Sequence, residues 1–396
     1  MAELITISEA LELVLARAQP LAAEEIALAA AAGRVLAEPA VGGCDLPPFP
    51  SSGMDGFALR ADDTPGEFAV TARIAAGSPS TYTLRRGEAA AISTGGEVPA
   101  GSDAVVPVER AEDRTATVAV AHSVVIGDNI RPRGSDVRAG TTVVAAGEIL
   151  GPAKLGAAAA AGLATVRCHR RPVVAVLITG SELREPGETL GPGEIYDANG
   201  TMLEAQIRAA GGEVERHPGV RDDQGTLRAA LELALEADVL VTTGGASVGE
   251  HDLVRSVSAG AGVVEVFWGV SVRPGKPVAF GVRGPTLVFG LPGNPVSSLV
   301  AFELFVRPAL LALQGAADPR PAFRPGRLAV SARRDTLRDA LLWAHALSDG
   351  EEVLLEPLSG QQSHMIARAA GAQALVLVPR GEGELAAGSA VRYLAL

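Results

Sequence analysis

The spacing of apolar positions divides the chain into stretches of different period. Ser8 reads as an N-cap, and Ala10, Leu11, Val14 and Leu15 follow at helical spacing as far as Pro20. A second helix is predicted over residues 24–36, stopping before Pro39. Residues 42–57, GGCDLPPFPSSGMDGF, hold too many turn formers for regular structure and read as a boundary or an ordered functional loop. Short β-like runs at 67–72, 89–93, 104–108, 116–120 and 141–144 then predict a small β-rich domain. Helical composition returns over 148–166, so this β-rich part is an insertion into a helical layer.

From Pro172 strands alternate with helices: a buried strand at 173–178, a helix at 199–210, a short strand from Val214 and a helix at 225–236. Strands at 239–242 and 286–289 and a helix at 295–313 complete the series. Such alternation predicts a parallel, doubly wound sheet with right-handed crossovers. Beyond Pro321, strands at 327–332, 353–357, 374–379 and 391–394, with a short helical segment near 365–370, predict a small barrel or sandwich. The fold class is therefore multidomain α/β: a doubly wound domain at 172–315, an inserted β-rich domain at 46–145, a small helical and linker domain from 1–45 with 146–171, and a C-terminal β-barrel-like domain at 320–396.

Composition narrows the function. With 396 residues, 47% hydrophobic and only 4% aromatic, the chain is globular and long enough for several cores. Its formal net charge of −12 argues against a nucleic-acid partner, which needs clustered Lys and Arg, but leaves room for one basic pocket for a small anion. Two cysteines, Cys44 and Cys168, without metal spacing, an acidic N-terminus and no apolar run near the ~20 residues of a membrane span lead to an expected cytoplasmic location with no membrane partner.

Six turn-rich clusters carry chemistry. Asp55 lies in PSSGMDG, Thr94 in STGGE, and Asp136 after two arginines in NIRPRGSD. Each has an ordinary reading as a turn, a hairpin closure or a solvated loop. TGSEL places Glu182 at the carboxyl end of the first α/β strand, the edge where such sheets bind ligands, while nearby YDAN also suits a helix cap. In the stretch 237–255, ADVLVTTGGASVGEHDLVR, a strand runs into Gly244 and Gly245, then Ser247 and Asp252, the layout of an anion or metal–phosphate turn. The fifth cluster, RPGKP, holds Arg273 and Lys276 three positions apart between stiffening prolines; the sixth, LPGNPVSS, starts a helix with Pro295 and offers Ser297. Together these acids, cations and hydroxyls suit a divalent metal bridging a phosphate-containing substrate.

The strings PPFPSSGMDGFAL, STGGEVPAGSDAVV, IRPRGSD, ITGSEL with EIYDANG, TTGGASVGEHD, RPGKP and FGLPGNPVSS resemble, in this order and over nearly the whole chain, the motifs of the molybdenum insertases, or molybdopterin molybdenumtransferases, to which the gephyrin E domain is related. The resemblance implies a molybdopterin-binding-type α/β domain, a homodimer, and a Mg2+-dependent reaction. In that reaction adenylylated molybdopterin and molybdate give molybdenum cofactor and AMP. It implies a catalytic set of Asp55, Thr94, Asp136, Glu182, Asp222 and Asp252, with Asp55, Glu182, Asp222 and Asp252 as metal ligands. Gly244, Gly245, Ser247, Arg273, Lys276, Pro292, Pro295, Ser297, Arg338 and Ser363 are implied as binding residues, Lys276 and Ser297 toward the molybdate oxyanion; Arg333 and Arg334 compete with Arg338 for the C-terminal cation. The molybdopterin-adenylating enzyme and molybdoenzyme chaperones are the partners it implies.

The chain departs from the family pattern at three positions. Arg273 stands where Lys is common, exchanging a point charge for a guanidinium fork. Ala246 replaces a usual Val and Gly96 a usual Ala, both tolerable changes. Three other readings stay open: a partner-binding scaffold, which needs added linker sequence; an adenylyltransferase, which needs neither the β insertion nor the C-terminal domain; and tungstate in place of molybdate.

Overall fold

The computed structural model describes residues 4–78, 81–220, 224–244, 250–349 and 352–396. These form two compact units. One joins the segment ending at Glu24, Gly33–Ala37 and Cys168–Leu396; the other joins Glu25–Ala32 and Glu38–Arg167.

In the larger unit the first helix is Ile7–Leu15. Its N-cap is Thr6 rather than Ser8: Thr6 accepts the Glu9 N–H while Glu9 reaches back to the Thr6 N–H, a complete capping box. The predicted helix at 24–36 is replaced by a strand, Ala23–Ala27, and a single 3-10 turn, Leu28–Ala30. Alanine-rich propensity is a weak prior, and Arg34 here bonds both Glu24 (2.5 Å) and the His169 carbonyl (2.8 Å), closing a loop that a straight helix would hold open.

The central sheet has six strands in the order Glu213–Val220, Val173–Thr179, Val239–Gly244, Thr286–Leu291, Ala279–Arg283, Val264–Trp268. The first four are parallel, as expected, but Ala279–Arg283 runs antiparallel to both of its neighbours, and neither it nor Val264–Trp268 was legible as a strand. Both faces of the sheet are covered: Val174, Val176 and Ile178 join one core, Ala175 and Leu177 another beneath Leu227 and Leu231. That double burial explains the unbroken apolar runs. Helix Pro295–Ala301 continues through one π turn, Phe302–Val306, into Arg307–Leu313; Pro308 supplies no N–H and perturbs the ladder behind it. By length and composition Pro295–Leu313 passes as a membrane span, which the reading of apolar runs did not anticipate, yet 72% of its apolar window is buried inside the fold.

The C-terminal region closes a β-barrel. Asp339–Asp349 pairs with Glu352–Pro357, followed by Arg324–Leu328, Ala390–Ala395 and Ala374–Val378, which pairs again with Asp339–Asp349. The long strand Asp339–Asp349, absent from the sequence reading, makes the closure. Val272–Arg273 adds to its start in parallel register, Arg273 opposite Ala340, and the core of the sheet continues into the barrel through Leu341, Trp343 and Leu375.

The second unit contains a six-stranded sheet, ordered Ala104–Pro107, Gly56–Leu59, Glu88–Ile92, Gly66–Ile74, Thr117–Val120, Glu112–Asp113. It is the expected β-rich part. Helix Pro152–Ala160 is shorter than the helical stretch predicted at 148–166, because Thr165–His169 is a strand.

Candidate functional site

The carboxyl ends of Val173–Thr179 and Val239–Gly244 mark the point where the strand order reverses, the ligand-binding edge of an open α/β sheet. Thr179 lies opposite Gly244, and only glycine fits there: φ is +122° and a Cβ would fall 1.9 Å from the Thr179 carbonyl oxygen. Glu182 is exposed just beyond, its carboxylate folded back against Gly180. Asp222, Gly245 and Ser247 lie outside the described residues, as does the side chain of Asp252, which stands in helix Glu250–Gly260.

Beside this edge a cleft of about 850 Å³ gathers Arg273, Lys276, Pro292, Ser297, Arg338 and Ser363. Six of the predicted binding residues, from loops up to 90 positions apart, thus share one wall. Gly244 lines an adjoining pocket of about 280 Å³ that shares Arg255, Trp268 and Pro277 with the cleft. Pro295 does not line it; it opens the helix behind Ser297.

Each loop of the cleft is pinned by backbone chemistry. The Lys276 carbonyl accepts the N–H groups of Val270 and Val278, which folds the RPGKP loop into a tight turn. Gly275, at φ +112°, brings that turn against the Ser297 carbonyl. The LPGNP turn is stapled by Asn199, whose buried amide donates to the Thr243 hydroxyl (3.0 Å) and the Gly293 carbonyl (2.7 Å), while Thr243 donates to the Pro292 carbonyl (3.0 Å). Asp197 caps the helix carrying Asn199 and is held by Arg216; the cap reading of YDAN is correct, and Asn199 adds the staple. Gln361 bonds both backbone groups of Trp343, and the Ser363 carbonyl accepts the Val296 N–H at 3.2 Å. One N–H at the N-terminus of the helix that Pro295 opens is therefore already occupied.

Two of the cations, Arg273 and Arg338, flank a carboxylate that sequence reasoning missed. Asp335 Oδ2 lies 3.1 Å from Arg338 Nη2 and 3.8 Å from Arg273 Nη1. The signal was an acid three positions before an arginine, lost among Arg333, Arg334 and Arg338. Of those three, Arg338 lines the cleft, and Arg334 is spent on the carbonyls of Pro379 and Arg380.

The β-rich unit has its own loop cluster. Ser52 bonds Gly95 and Gly96 through its backbone and pairs with Ile130, so the PSSGMDG, STGGE and NIRPRG segments meet. Asp55 Oδ1 accepts the Thr94 N–H at 2.7 Å, joining two predicted residues. The Asp136 N–H donates to the Leu46 carbonyl (3.0 Å), and Arg133, one of the two arginines of that segment, is paired with Asp45 at 2.5 Å. The Ala139 N–H, with Arg133, holds the Asp45 carboxyl below its usual range. Gly56 is sterically required, since a Cβ would lie 2.0 Å from the Val106 carbonyl oxygen. At Gly96 a Cβ would lie 2.9 Å from Ile92 Cγ1 and the Ser93 oxygen, so the glycine that replaces the usual alanine fits a place where alanine would be crowded.

Family models match in the same order: the MoeA N-terminal region (domain I and II) over residues 5–162, a probable molybdopterin binding domain over 175–312, and the MoeA C-terminal region (domain IV) over 317–396. The molybdopterin molybdenumtransferase 2 of Mycobacterium tuberculosis is 38% identical over 379 residues, 92% of this chain and 93% of its own. This chain belongs to the molybdopterin molybdenumtransferase family. The Staphylococcus epidermidis molybdopterin molybdenumtransferase is 31% identical over 395 residues, covering 98% of this chain and 94% of its own. A MoeA protein of Pyrococcus horikoshii superposes with a TM-score of 0.85 at 28% identity over the full length of both chains. As a member of this family the chain is a transferase of molybdenum cofactor biosynthesis, with a molybdopterin-related substrate. The expected metal set is divided: Asp55 is in the β-rich unit and Glu182 in the other, and among the described residues no three His, Cys, Asp or Glu side chains converge as metal ligands.

Proposed function

We propose that this chain takes molybdenum from molybdate and inserts it into adenylylated molybdopterin, releasing AMP. The observation that carries this reading is the convergence of Arg273, Lys276, Arg338 and two serines, Ser297 and Ser363, on one cleft beside the carboxyl edge of the sheet. Molybdate is a tetrahedral dianion, suited to charge-assisted hydrogen bonds from guanidinium and ammonium groups, with hydroxyls filling the remaining oxygens. Because the loops are already pinned, the anion is held at a fixed place and the dithiolene sulfurs meet it as in an intramolecular reaction. In this reading the phosphate-bearing substrate extends from the cleft into the adjoining pocket lined by Gly244.

In this reading the protein acts as a homodimer in the cytoplasm, receives its substrate from the molybdopterin-adenylating enzyme and passes product to molybdoenzyme chaperones. Mg2+ is proposed as a requirement of the reaction, with Asp55, Glu182, Asp222 and Asp252 as the acids that would hold it. The test is AMP release from adenylylated molybdopterin with molybdate and Mg2+ omitted in turn. Release that needs both is the expected result. A folded protein that releases no AMP under any combination overturns the assignment.

A further inference from the structure

We propose that Asp335 is a positioning residue of the anion cleft, clamping the guanidinium groups of Arg273 and Arg338 into one paired oxyanion receptor. The inference rests on the reading of the cleft as a molybdate site. The two arginines come from different domains: Arg273 ends a short strand of the α/β region, and Arg338 precedes the first long strand of the barrel. Register brings them together, with Val272 opposite Asp339, the Ser271 hydroxyl donating to the Leu337 carbonyl (2.7 Å) and the Asp339 N–H donating to the Ser271 carbonyl (3.1 Å).

Between them sits the Asp335 carboxylate. Oδ1 accepts the N–H groups of Leu337 (2.9 Å) and Arg338 (3.0 Å), Oδ2 faces both guanidinium groups, and the Asp335 carbonyl accepts the Gly381 N–H (2.8 Å). The carboxylate side chain is 12% exposed, against 59% for Arg273 and 31% for Arg338. The acid is thus behind the cations and fixed to backbone, and the cations project forward from it. The Leu337 N–H, ahead of the opposing burial and of Arg338, keeps its carboxyl below the usual range, so it is charged throughout the neutral region.

Two consequences follow from that placement. Like charges that would repel and fan apart are held side by side, which suits a tetrahedral anion that accepts on adjacent oxygens. The charge of the receptor is also set. Arg255, on the same wall, is cancelled by bidentate Glu265, so Arg273, Lys276 and Arg338 against Asp335 leave a formal excess of two positive charges, the complement of a dianion.

The test is a double-mutant cycle read by calorimetric molybdate binding and by steady-state kinetics. Arg273→Gln and Asp335→Asn each weaken molybdate binding about tenfold, and the double variant loses clearly less than the product of the two, because both changes break the same pair and only the hold on Arg338 remains to be lost. Asp335→Asn retains an oxygen for the Leu337 and Arg338 N–H groups; it raises KM for molybdate and leaves kcat and the KM for adenylylated molybdopterin near wild type. If that variant does not fold, Asp335→Glu carries the same test, its effect again smaller in the Arg273→Gln background. Additive losses near a hundredfold, or a fall in kcat with KM unchanged, overturn the clamp. Wild-type protein that binds no molybdate overturns the cleft assignment and the clamp with it, whereas normal wild-type binding with unaltered Asp335→Asn binding overturns the clamp alone.

Discussion

The cleft and the loop cluster of the β-rich unit are both built from Gly- and Pro-rich turns, but they present charge in opposite ways. In the cleft, three cations come from two loops, two of them are backed by an internal carboxylate, and the loops are pinned by bonds to backbone from Ser271, Gln361, Ser363 and Asn199. In the loop cluster, Asp55 is exposed, and one N–H, that of Thr94, holds it. The first arrangement meets the ordering cost when the protein folds, so an anion that enters finds its donors in place. The second offers a single acid on a braced turn, a group that assists a bound substrate rather than one that binds it.

This contrast is broken most directly by comparing Lys276→Ala with Asp55→Asn. Lys276 is exposed and its loop is held by its carbonyl, so its removal leaves the fold intact, with a melting shift of about 2 °C or less. Loss of one preorganised cation from an oxyanion receptor is expected to lower molybdenum transfer about a thousandfold. Asp55→Asn keeps an acceptor for Thr94 and is expected to lower transfer about a hundredfold with unchanged molybdate affinity. AMP release and calorimetric molybdate titration on both variants check the pair. A loss of molybdate binding in Asp55→Asn reverses the division of labour.

The cleft was legible as a list before it was legible as a place. RPGKP and LPGNPVSS carry their chemistry in local turn residues, so Arg273, Lys276, Pro292 and Ser297 are identifiable from spacing, and the structure adds only that they meet. Asp335 was not legible, because its meaning depends on a strand pairing between residues 272 and 339 that no local pattern encodes. The same holds for the fold. Buried parallel strands such as Val173–Thr179 announce themselves by continuous apolar runs, whereas Val264–Trp268 and Asp339–Asp349 mix polar residues such as Glu265 and His345 with apolar ones and give no such signal. Ala23–Ala27 misled for the reason already given: alanine favours a helix locally, and the Arg34 contacts override it.

A second test separates the two edges of the central sheet. At the amino edge, Asp238 takes two bonds from Arg170 (both 2.6 Å) and one from the Val173 N–H (2.8 Å). Burial opposes ionisation of this carboxyl, but the Arg170 guanidinium and the Val173 N–H outweigh it and hold its pKa below the ordinary value. A depressed folded-state pKa means that the stabilisation is complete above the unfolded value, about pH 4, and is lost as pH falls through the folded one. Asp238→Asn is expected to cost about 1 to 2 kcal/mol at pH 7, the lower end reflecting a partly exposed Arg170. Urea unfolding of both proteins from pH 7 to pH 3 should show their difference shrinking toward acid, with molybdate affinity unchanged at pH 7. A difference that grows on acidification contradicts the sign argument.

The smallest effect is expected at Ser363, and it distinguishes fixed charge from hydroxyl contact as the source of affinity. The Ser363 backbone, not its side chain, ties the 361–364 loop to the Val296 N–H, and Gln361 anchors the same loop to Trp343. Ser363→Ala therefore leaves the cleft's shape and the three cations in position and removes one neutral hydrogen bond. Such a bond contributes about 1 kcal/mol net, or about fivefold in molybdate Kd, with stability within about 0.5 kcal/mol of wild type. Calorimetric titration with molybdate measures this directly. A loss of a hundredfold or more, at unchanged stability, would mean that the hydroxyl outranks Arg273 and Arg338 in the receptor, and that their alignment by Asp335 contributes less than the geometry of the serine loop.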